Sequence, residues 1–223
     1  MAIDQATKTE WLEKFQGATL TLDATFGSPK VNHMFRRNFD QMGRNAFFIS
    51  VRGRVLLGED QVSAAEQMIY DRITEITKTI ERKTEATKVI LADANISKMA
   101  NYNRPESHEA VIISPMQTKY VRLLEAADEL FKNINTLMLY GEITEREHSK
   151  RELEIKQHMR VVPSVIRKVT IGLRTRLDEA GAKQSQDESA EAAEVATTSE
   201  QAADSQPEAP VAANEVEAVA EAA

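Results

Sequence analysis

The chain has 223 residues, a formal net charge of −7 and no cysteine. Without cysteine it cannot be a disulfide scaffold, a zinc ribbon or a thiol enzyme, and this composition fits the reducing cytoplasm, where we expect the protein. No apolar run approaches the roughly 20 residues of a membrane helix, so we expect no contact with a membrane.

Charge is distributed unevenly along the chain. From residue 178 onward, twelve acidic residues and one basic residue give a net charge of −11, which leaves +4 for the preceding body. The bases of the body concentrate in two segments: 30–54 has six bases and one acid, and 160–176 has five bases and no acid. Such clusters can neutralise phosphates and release counterions. Either segment is equally compatible with a solvated face that keeps the domain soluble.

Three regions follow from this composition. Residues 1–16 form an N-terminal arm, in which 10–16 are predicted to be a short helix. Residues 17–178 are expected to form a helical domain, which the arguments below predict to bind DNA and dimerise. Residues 179–223 form an acidic Ala/Glu-rich tail without Leu, Ile, Met or aromatic residues. This tail cannot bury enough apolar area to offset its ordering entropy, so disorder is predicted.

The first elements of the domain are a strand and a helix. Residues 18–26 alternate apolar and polar side chains, which predicts a half-buried strand. Ser28 and Pro29 then mark a helix start, with the serine as cap and the proline in the first turn. The helix over 30–42 has its apolar residues on one face and two arginines on the other.

The segment 45–60 has two interpretations. As a strand, it places Ser50, Arg52 and Arg54 on one face and apolar residues on the other. Apolar residues also recur every four positions, as in a helix. Gly53 favours the strand, because glycine costs a helix about 1 kcal/mol relative to alanine.

Longer amphipathic helices follow. The apolar spacing over 59–92 predicts a long helix that packs along another long helix, such as that of a symmetry mate. Residues 93–109 are predicted to be a loop, 110–114 a short strand, and 117–140 a second amphipathic helix that ends at Gly141.

Two further helices are predicted near the end of the domain. Thr144 and Glu147 have the spacing of a capping box, which opens a third helix that extends to about His158. Pro163 opens a fourth helix, whose outer face is basic.

No catalytic, metal-binding or cofactor-binding pattern is present. Glu145 and His148 match half of a di-iron carboxylate motif, but the required second Glu-x-x-His is missing. The sequence also has no glycine-rich phosphate loop and no nucleophile elbow. We therefore predict that the protein is not an enzyme, with no catalytic residues, no metal and no cofactor.

Recognition of DNA remains as the candidate activity. Ribbon-helix-helix regulators insert a two-stranded antiparallel ribbon, one strand from each subunit, into the major groove. Arg52 and Arg54 on one strand face would suit bidentate contacts to guanine. A weaker alternative ribbon is the strand that carries Thr19, Thr21 and Thr25, with Asp23 in its middle. The candidate DNA-contacting residues are Arg52, Arg54, Ser50, Lys30, Arg36, Arg37 and Arg44, and the basic face with Arg167, Lys168, Arg174 and Arg176 is the next candidate.

Four segments carry a resemblance to a known family: TLTLDATF, QMIYDRITEI, AVIISPMQTKYVRLLEAADEL and LMLYGEITEREHSKREL. Their order resembles that of the AcaB-like proteins, which are carried by conjugative plasmids and integrating conjugative elements. The resemblance covers about residues 17–177. It implies a homodimeric transcriptional regulator of conjugative-transfer genes, an activator, with a DNA-binding region related to ribbon-helix-helix.

We therefore expect a mostly helical α+β protein, with long amphipathic helices, a few short strands and a disordered acidic tail. The expected partners are double-stranded DNA and a second copy of the chain, with RNA polymerase or other transfer regulators as further candidates. The alternative is a non-enzymatic structural or accessory protein of a conjugative element, whose basic faces meet acidic partners. A DNA-binding protein should merge its bases into one continuous surface, whereas an accessory protein should leave them scattered among acids.

Overall fold

The computed structural model describes residues 15–201, apart from the side chains of Leu56, Leu57 and 180–201. Its elements are β1 (Leu20–Phe26), α1 (Pro29–Phe47), a π-helical segment (Phe48–Gly53), α2 (Arg54–Leu57), α3 (Glu59–Asp93), β2 (Glu106–Ile112), α4 (Pro115–Leu139) and α5 (Glu145–Gln201). The predicted fold class, a mostly helical α+β protein with long helices and a few short strands, is confirmed. Of the helix predicted at 10–16, residues 10–14 lie outside the described residues, and residues 15 and 16 are not helical.

The chain divides into two compact units, Met1–Leu177 and Asp178–Ala223. The first unit contains the hydrophobic core. In the second, the backbone is helical as far as Gln201, which includes the first part of the segment for which disorder is predicted. Alanine and glutamate, which dominate this segment, are good helix formers. Residues 202–223 lie outside the described residues, and disorder of the tail stays a prediction.

The two strands form an antiparallel sheet within the chain, with Leu20 opposite Ile112 and Phe26 opposite Glu106. The strand predicted at 18–26 is confirmed. The strand predicted at 110–114 begins earlier, because polar residues of the predicted loop pair with β1 and alternate between its two faces. Since both strands come from one chain, this sheet is not a ribbon shared between subunits, and the relation to ribbon-helix-helix stays a prediction.

The strand predicted over 45–60 is wrong, and the helical alternative is correct. The chain continues from α1 through the π-helical segment into α2. Gly53 is buried, and a Cβ atom added there would lie 3.1 Å from the Val62 Cγ2 atom. The glycine therefore permits a close approach to α3, and this packing outweighs its low helix propensity. Gly58, at φ +86°, ends the helical run before α3.

The apolar stripe of α3 packs inside the chain. Val62, Ile69, Ile73, Ile76 and Ile80 are all 3% exposed or less, and α3 lies along α4. The prediction that α3 packs along another long helix is confirmed, but that helix is α4 rather than a symmetry mate's. The stripe is therefore not available as a dimer seam.

Local signals end α3 and α4 and begin α5. Gly141, at φ +79°, follows α4, and the N–H groups of Gly141 and Glu142 donate to the carbonyls of Met138 and Leu137, as in a Schellman motif. Asn95, at φ 54°, ends α3 with the same pattern.

The capping box at the start of α5 is confirmed. The Thr144 N–H donates to Glu147 Oε2 at 3.0 Å, and the Glu147 N–H donates to Thr144 Oγ1 at 3.3 Å. The third and fourth predicted helices are one helix, with Pro163 in its interior. The lost backbone hydrogen bond is tolerated there because the neighbouring Val162 and Ile166 are buried in the core.

Candidate nucleic-acid interface

Helices α1 and α5 lie side by side and are joined near both ends of α1. At the first end, Lys30 forms an ion pair with Glu152. Just beyond the other end, the guanidinium of Arg174 lies over the ring of Phe48, 4.8 Å from its centroid. Residue numbers rise in the same direction along both helices between these contacts, so the helices run parallel.

An open groove of about 880 Å³ lies between these two contacts. It is lined by basic and polar side chains with two methionines and a proline, and no acidic residue lines it. From α1 the lining residues are His33, Met34, Arg36, Arg37, Asn38, Gln41, Met42 and Asn45, and from α5 they are Arg160, Pro163, Ser164 and Arg167. We call this cavity the arginine groove. It brings together residues from both basic segments of the sequence.

The spacing of the residues explains why the arginines face one another. Arg160, Arg167 and Arg174 are seven residues apart, so they lie on one face of α5 over about 21 Å of helix length. On α1, the lining residues recur every four positions from His33 to Asn45, which also places them on one face. The result is two facing rows of cationic and polar side chains.

The groove has cations that the folded chain leaves available. Arg36 Nη1 lies 3.0 Å from Glu106 Oε2, but both side chains are largely exposed and such pairs contribute only about 0–1 kcal/mol. Arg37, Arg160 and Arg167 are exposed, and none of them takes part in an ion pair found among residues 15–179. An incoming phosphate could therefore bind these guanidinium groups without displacing a strong internal partner.

Uncharged polar side chains lie between the arginines. Asn38, Gln41, Asn45 and Ser164 present hydrogen-bond donors and acceptors to the groove. The side-chain amide of Asn38 also donates to the Met34 carbonyl at 3.1 Å, which fixes its orientation. Side chains of this type contact sugars and base edges in protein–DNA complexes.

The structure places the sequence-predicted site residues in different surroundings. Arg36 and Arg37 line the arginine groove. Lys30 lies at its end in the ion pair with Glu152, and Arg44 is half-buried on α1 outside the lining. Arg52 is exposed on the π-helical segment, and its contact with DNA stays a prediction.

The proposed pairing of Arg52 with Arg54 is wrong, because the strand on which it depended does not form. Residues two apart in a helix point in different directions, so the two guanidinium groups do not share a face. Arg54 Nη2 donates to Glu66 Oε2 at 2.8 Å, and the Ser50 hydroxyl donates to Glu66 Oε1 at 2.5 Å. Glu59 lies 3.6 Å from Arg54 as well. Carboxylates therefore offset the charge of Arg54.

The alternative threonine ribbon on β1 has an unfavourable charge. Thr21, Asp23 and Thr25 are exposed on one face of the sheet. Asp23 stands directly opposite Glu109 of β2, which is also exposed. This pair of carboxylates would repel a phosphate backbone.

Sequence reasoning missed part of the groove. His33, Asn38, Gln41, Asn45 and Ser164 were not recognised as site residues, although the four-residue spacing on α1 is visible in the sequence. Arg160 and Arg167 belong to the second basic segment, but nothing in the sequence joins that segment to the first one. The signal that could have connected them is the seven-residue repeat of arginine on α5.

The half di-iron motif has a structural explanation. His148 Nε2 lies 2.7 Å from the Asn135 side-chain oxygen and 3.7 Å from Glu152 Oε1. Within the part of the chain that the structure describes, no group of three or more His, Asp or Glu residues could hold a metal ion. Among these same residues, no helix has the length and apolar character needed to cross a bilayer.

Comparison with known proteins gives one informative similarity. No protein-family profile matches the chain, and no curated protein sequence matches it. The fold is similar to that of AcaB from uropathogenic E. coli in its selenomethionine-containing crystal structure, with a TM-score of 0.70 and 18% sequence identity. The match covers 76% of this chain and 88% of AcaB. At the level of the fold, this confirms the resemblance to AcaB-like proteins.

Proposed function

We propose that the protein is a DNA-binding transcriptional regulator of conjugative-transfer genes, an activator, which acts in the cytoplasm as a homodimer. The observation that carries the proposal is the arginine groove, which four arginines and no acidic residue line. The sequence motifs and the AcaB-like fold support a regulator, because the family resemblance implies that role. The proposal includes no catalytic activity.

Double-stranded DNA fits the groove better than a single strand does. Proteins that bind single strands usually stack bases on aromatic side chains. The groove lining has no Phe, Tyr or Trp, and its only ring besides Pro163 is that of His33. The guanidinium groups supply phosphate binding through counterion release, and the amides between them supply contacts to sugars and bases.

The homodimer rests on the family resemblance and on exposed apolar surface. Val55 is 82% exposed and Leu139 is 75% exposed. A dimer with twofold symmetry would present two arginine grooves to two half-sites, so its operator should be a palindrome. Sedimentation of the full chain at micromolar concentration should give the mass of a dimer, and a monomer would contradict this part of the proposal.

The second candidate is an accessory protein whose groove holds an acidic protein segment. The same groove arginines favour it, because they would bind carboxylates as well as phosphates. The two candidates differ in sequence selectivity: a regulator should select particular DNA sequences, whereas an accessory protein should not.

Selection from a pool of random duplexes separates the candidates. The full chain should enrich a short palindromic motif at physiological salt. A double variant, Arg37→Ala with Arg167→Ala, should lose this enrichment, whereas Arg82→Ala, an exposed arginine on α3 outside the groove, should keep it. Failure of the full chain to enrich any motif, or equal enrichment by the groove variant, would contradict the proposal.

A further inference from the structure

A second cavity lies away from the arginine groove, between α3, α4 and α5. It holds about 210 Å³. Its floor is mostly apolar and its rim is charged. The buried floor residues are Thr87, Leu130, Ile134 and Ile155, the more exposed wall residues are Ala86 and Ile90, and the rim residues are Lys83, Arg151 and Glu154. We call it the α3–α5 pocket.

The rim carries one cation more than it has anions. Lys83 Nζ donates to Glu154 Oε2 at 2.6 Å, and this contact lowers the pKa of the Glu154 carboxyl, so both groups stay charged and offset each other. Arg151 is half-buried, and no ion pair found among residues 15–179 includes it. Arg151 contributes to lowering the pKa of the Glu147 carboxyl, but the two groups are farther apart than an ion pair. The guanidinium at the rim is therefore available to an anion.

The size of the pocket limits its ligand. A dry cavity of about 150 Å³ holds benzene. The α3–α5 pocket therefore has room for a six-membered ring or branched chain with a short polar end, about ten non-hydrogen atoms in all. Nucleotides and longer chains would extend out of the pocket mouth, since pockets that enclose larger ligands run from about 300 Å³ upward.

We propose that the α3–α5 pocket binds a small aromatic or branched carboxylate. The ring or chain lies on the isoleucines and Leu130, and the carboxylate accepts two hydrogen bonds from the fork of Arg151. This site is separate from the arginine groove, although α5 lines both: Ile155 belongs to the pocket, and Arg160 follows it by five residues.

Calorimetry on the full chain with three matched probes tests the proposal. Phenylacetate carries the carboxylate, phenylacetamide is its neutral analogue, and phenethylamine is cationic. Phenylacetate should bind about tenfold more tightly than the amide, a difference of about 1.4 kcal/mol, and phenethylamine should be weaker still. Phenylacetate should also raise the melting temperature, because it binds only the folded state.

Two variants locate the binding. Arg151→Gln should reduce phenylacetate affinity about tenfold and leave the affinity for phenylacetamide unchanged. Ala86→Phe should abolish binding of every probe, since Ala86 is exposed at the pocket wall and a ring there fills the cavity without entering the core. Three results would overturn the proposal. Phenylacetate could fail to bind at about 10 mM, the three probes could bind with equal affinity, or the Ala86→Phe variant could bind as tightly as the unmodified chain.

Discussion

Truncation of Ile73 tests whether the stripe of α3 is a core or a subunit interface. Ile73 is 2% exposed and belongs to a helix that packs along α4. The change Ile73→Ala removes three carbon atoms, worth about 0.8 kcal/mol each in transfer free energy, and it leaves a cavity that adds to this cost. We expect the free energy of unfolding to fall by about 2.5–4 kcal/mol. Urea denaturation monitored by circular dichroism measures this difference.

A matched control lies on the same helix. Val89 is 59% exposed, so Val89→Ala should change the free energy of unfolding by no more than about 0.5 kcal/mol. The loss in Ile73→Ala should be the same at low and high protein concentration, because the contact is within one chain. A loss below about 1 kcal/mol, or a loss that grows on dilution, would show that the stripe contacts a second copy instead.

Four further outcomes follow from local contacts and charge. Thr144→Ala should reduce the free energy of unfolding by about 1 kcal/mol, whereas Thr144→Ser should not, since serine keeps the cap. Urea denaturation measures both. Gly43→Ala should lower the melting temperature, because its Cβ atom would overlap the side-chain amide nitrogen of Gln117. Burial lowers the pKa of His158 below 6.5, so the unfolded chain takes up the proton first as the pH falls. The free energy of unfolding should therefore decrease as the pH drops below about 6.5. His158→Gln should make this decrease smaller, which melting temperatures measured across this pH range would show. Truncation after Ala180 should leave the melting temperature unchanged and raise DNA affinity in a titration at fixed salt, because it removes ten acidic residues and one lysine, a net charge of −9.

Signals that act over a few residues could be predicted from the sequence. The capping box at Thr144, the helix end at Gly141 and the alternation of β1 each depend on neighbours within the same element. The apolar stripe of α3 also indicated its long-helix partner. It could not indicate whether that partner was α4 or a second copy, because both would bury the same isoleucines.

The segment 45–60 shows where local pattern fails. Its apolar residues fit both a period of two and a period of four, so the glycine decided the interpretation. In the structure, Gly53 serves a contact with Val62, a residue of another helix. The contact depends on the tertiary fold, and no propensity scale contains it.

The sequence did not predict the arginine groove for the same reason. Both basic segments were visible, but their meeting depends on α1 and α5 lying in parallel, which the Lys30–Glu152 pair and the Arg174–Phe48 contact maintain. Neither contact has a sequence signature.

The salt dependence of DNA affinity tests the groove most directly. The logarithm of the binding constant should fall linearly with the logarithm of salt concentration, and each lost phosphate contact should flatten the slope by about 0.9. The double variant Arg37→Ala with Arg167→Ala loses two phosphate contacts, so its slope should be flatter by about 1.8. Arg82→Ala should keep the slope of the unmodified chain. An unchanged slope in the groove variant, with a flatter slope in Arg52→Ala, would contradict the account and place the DNA on the π-helical segment instead.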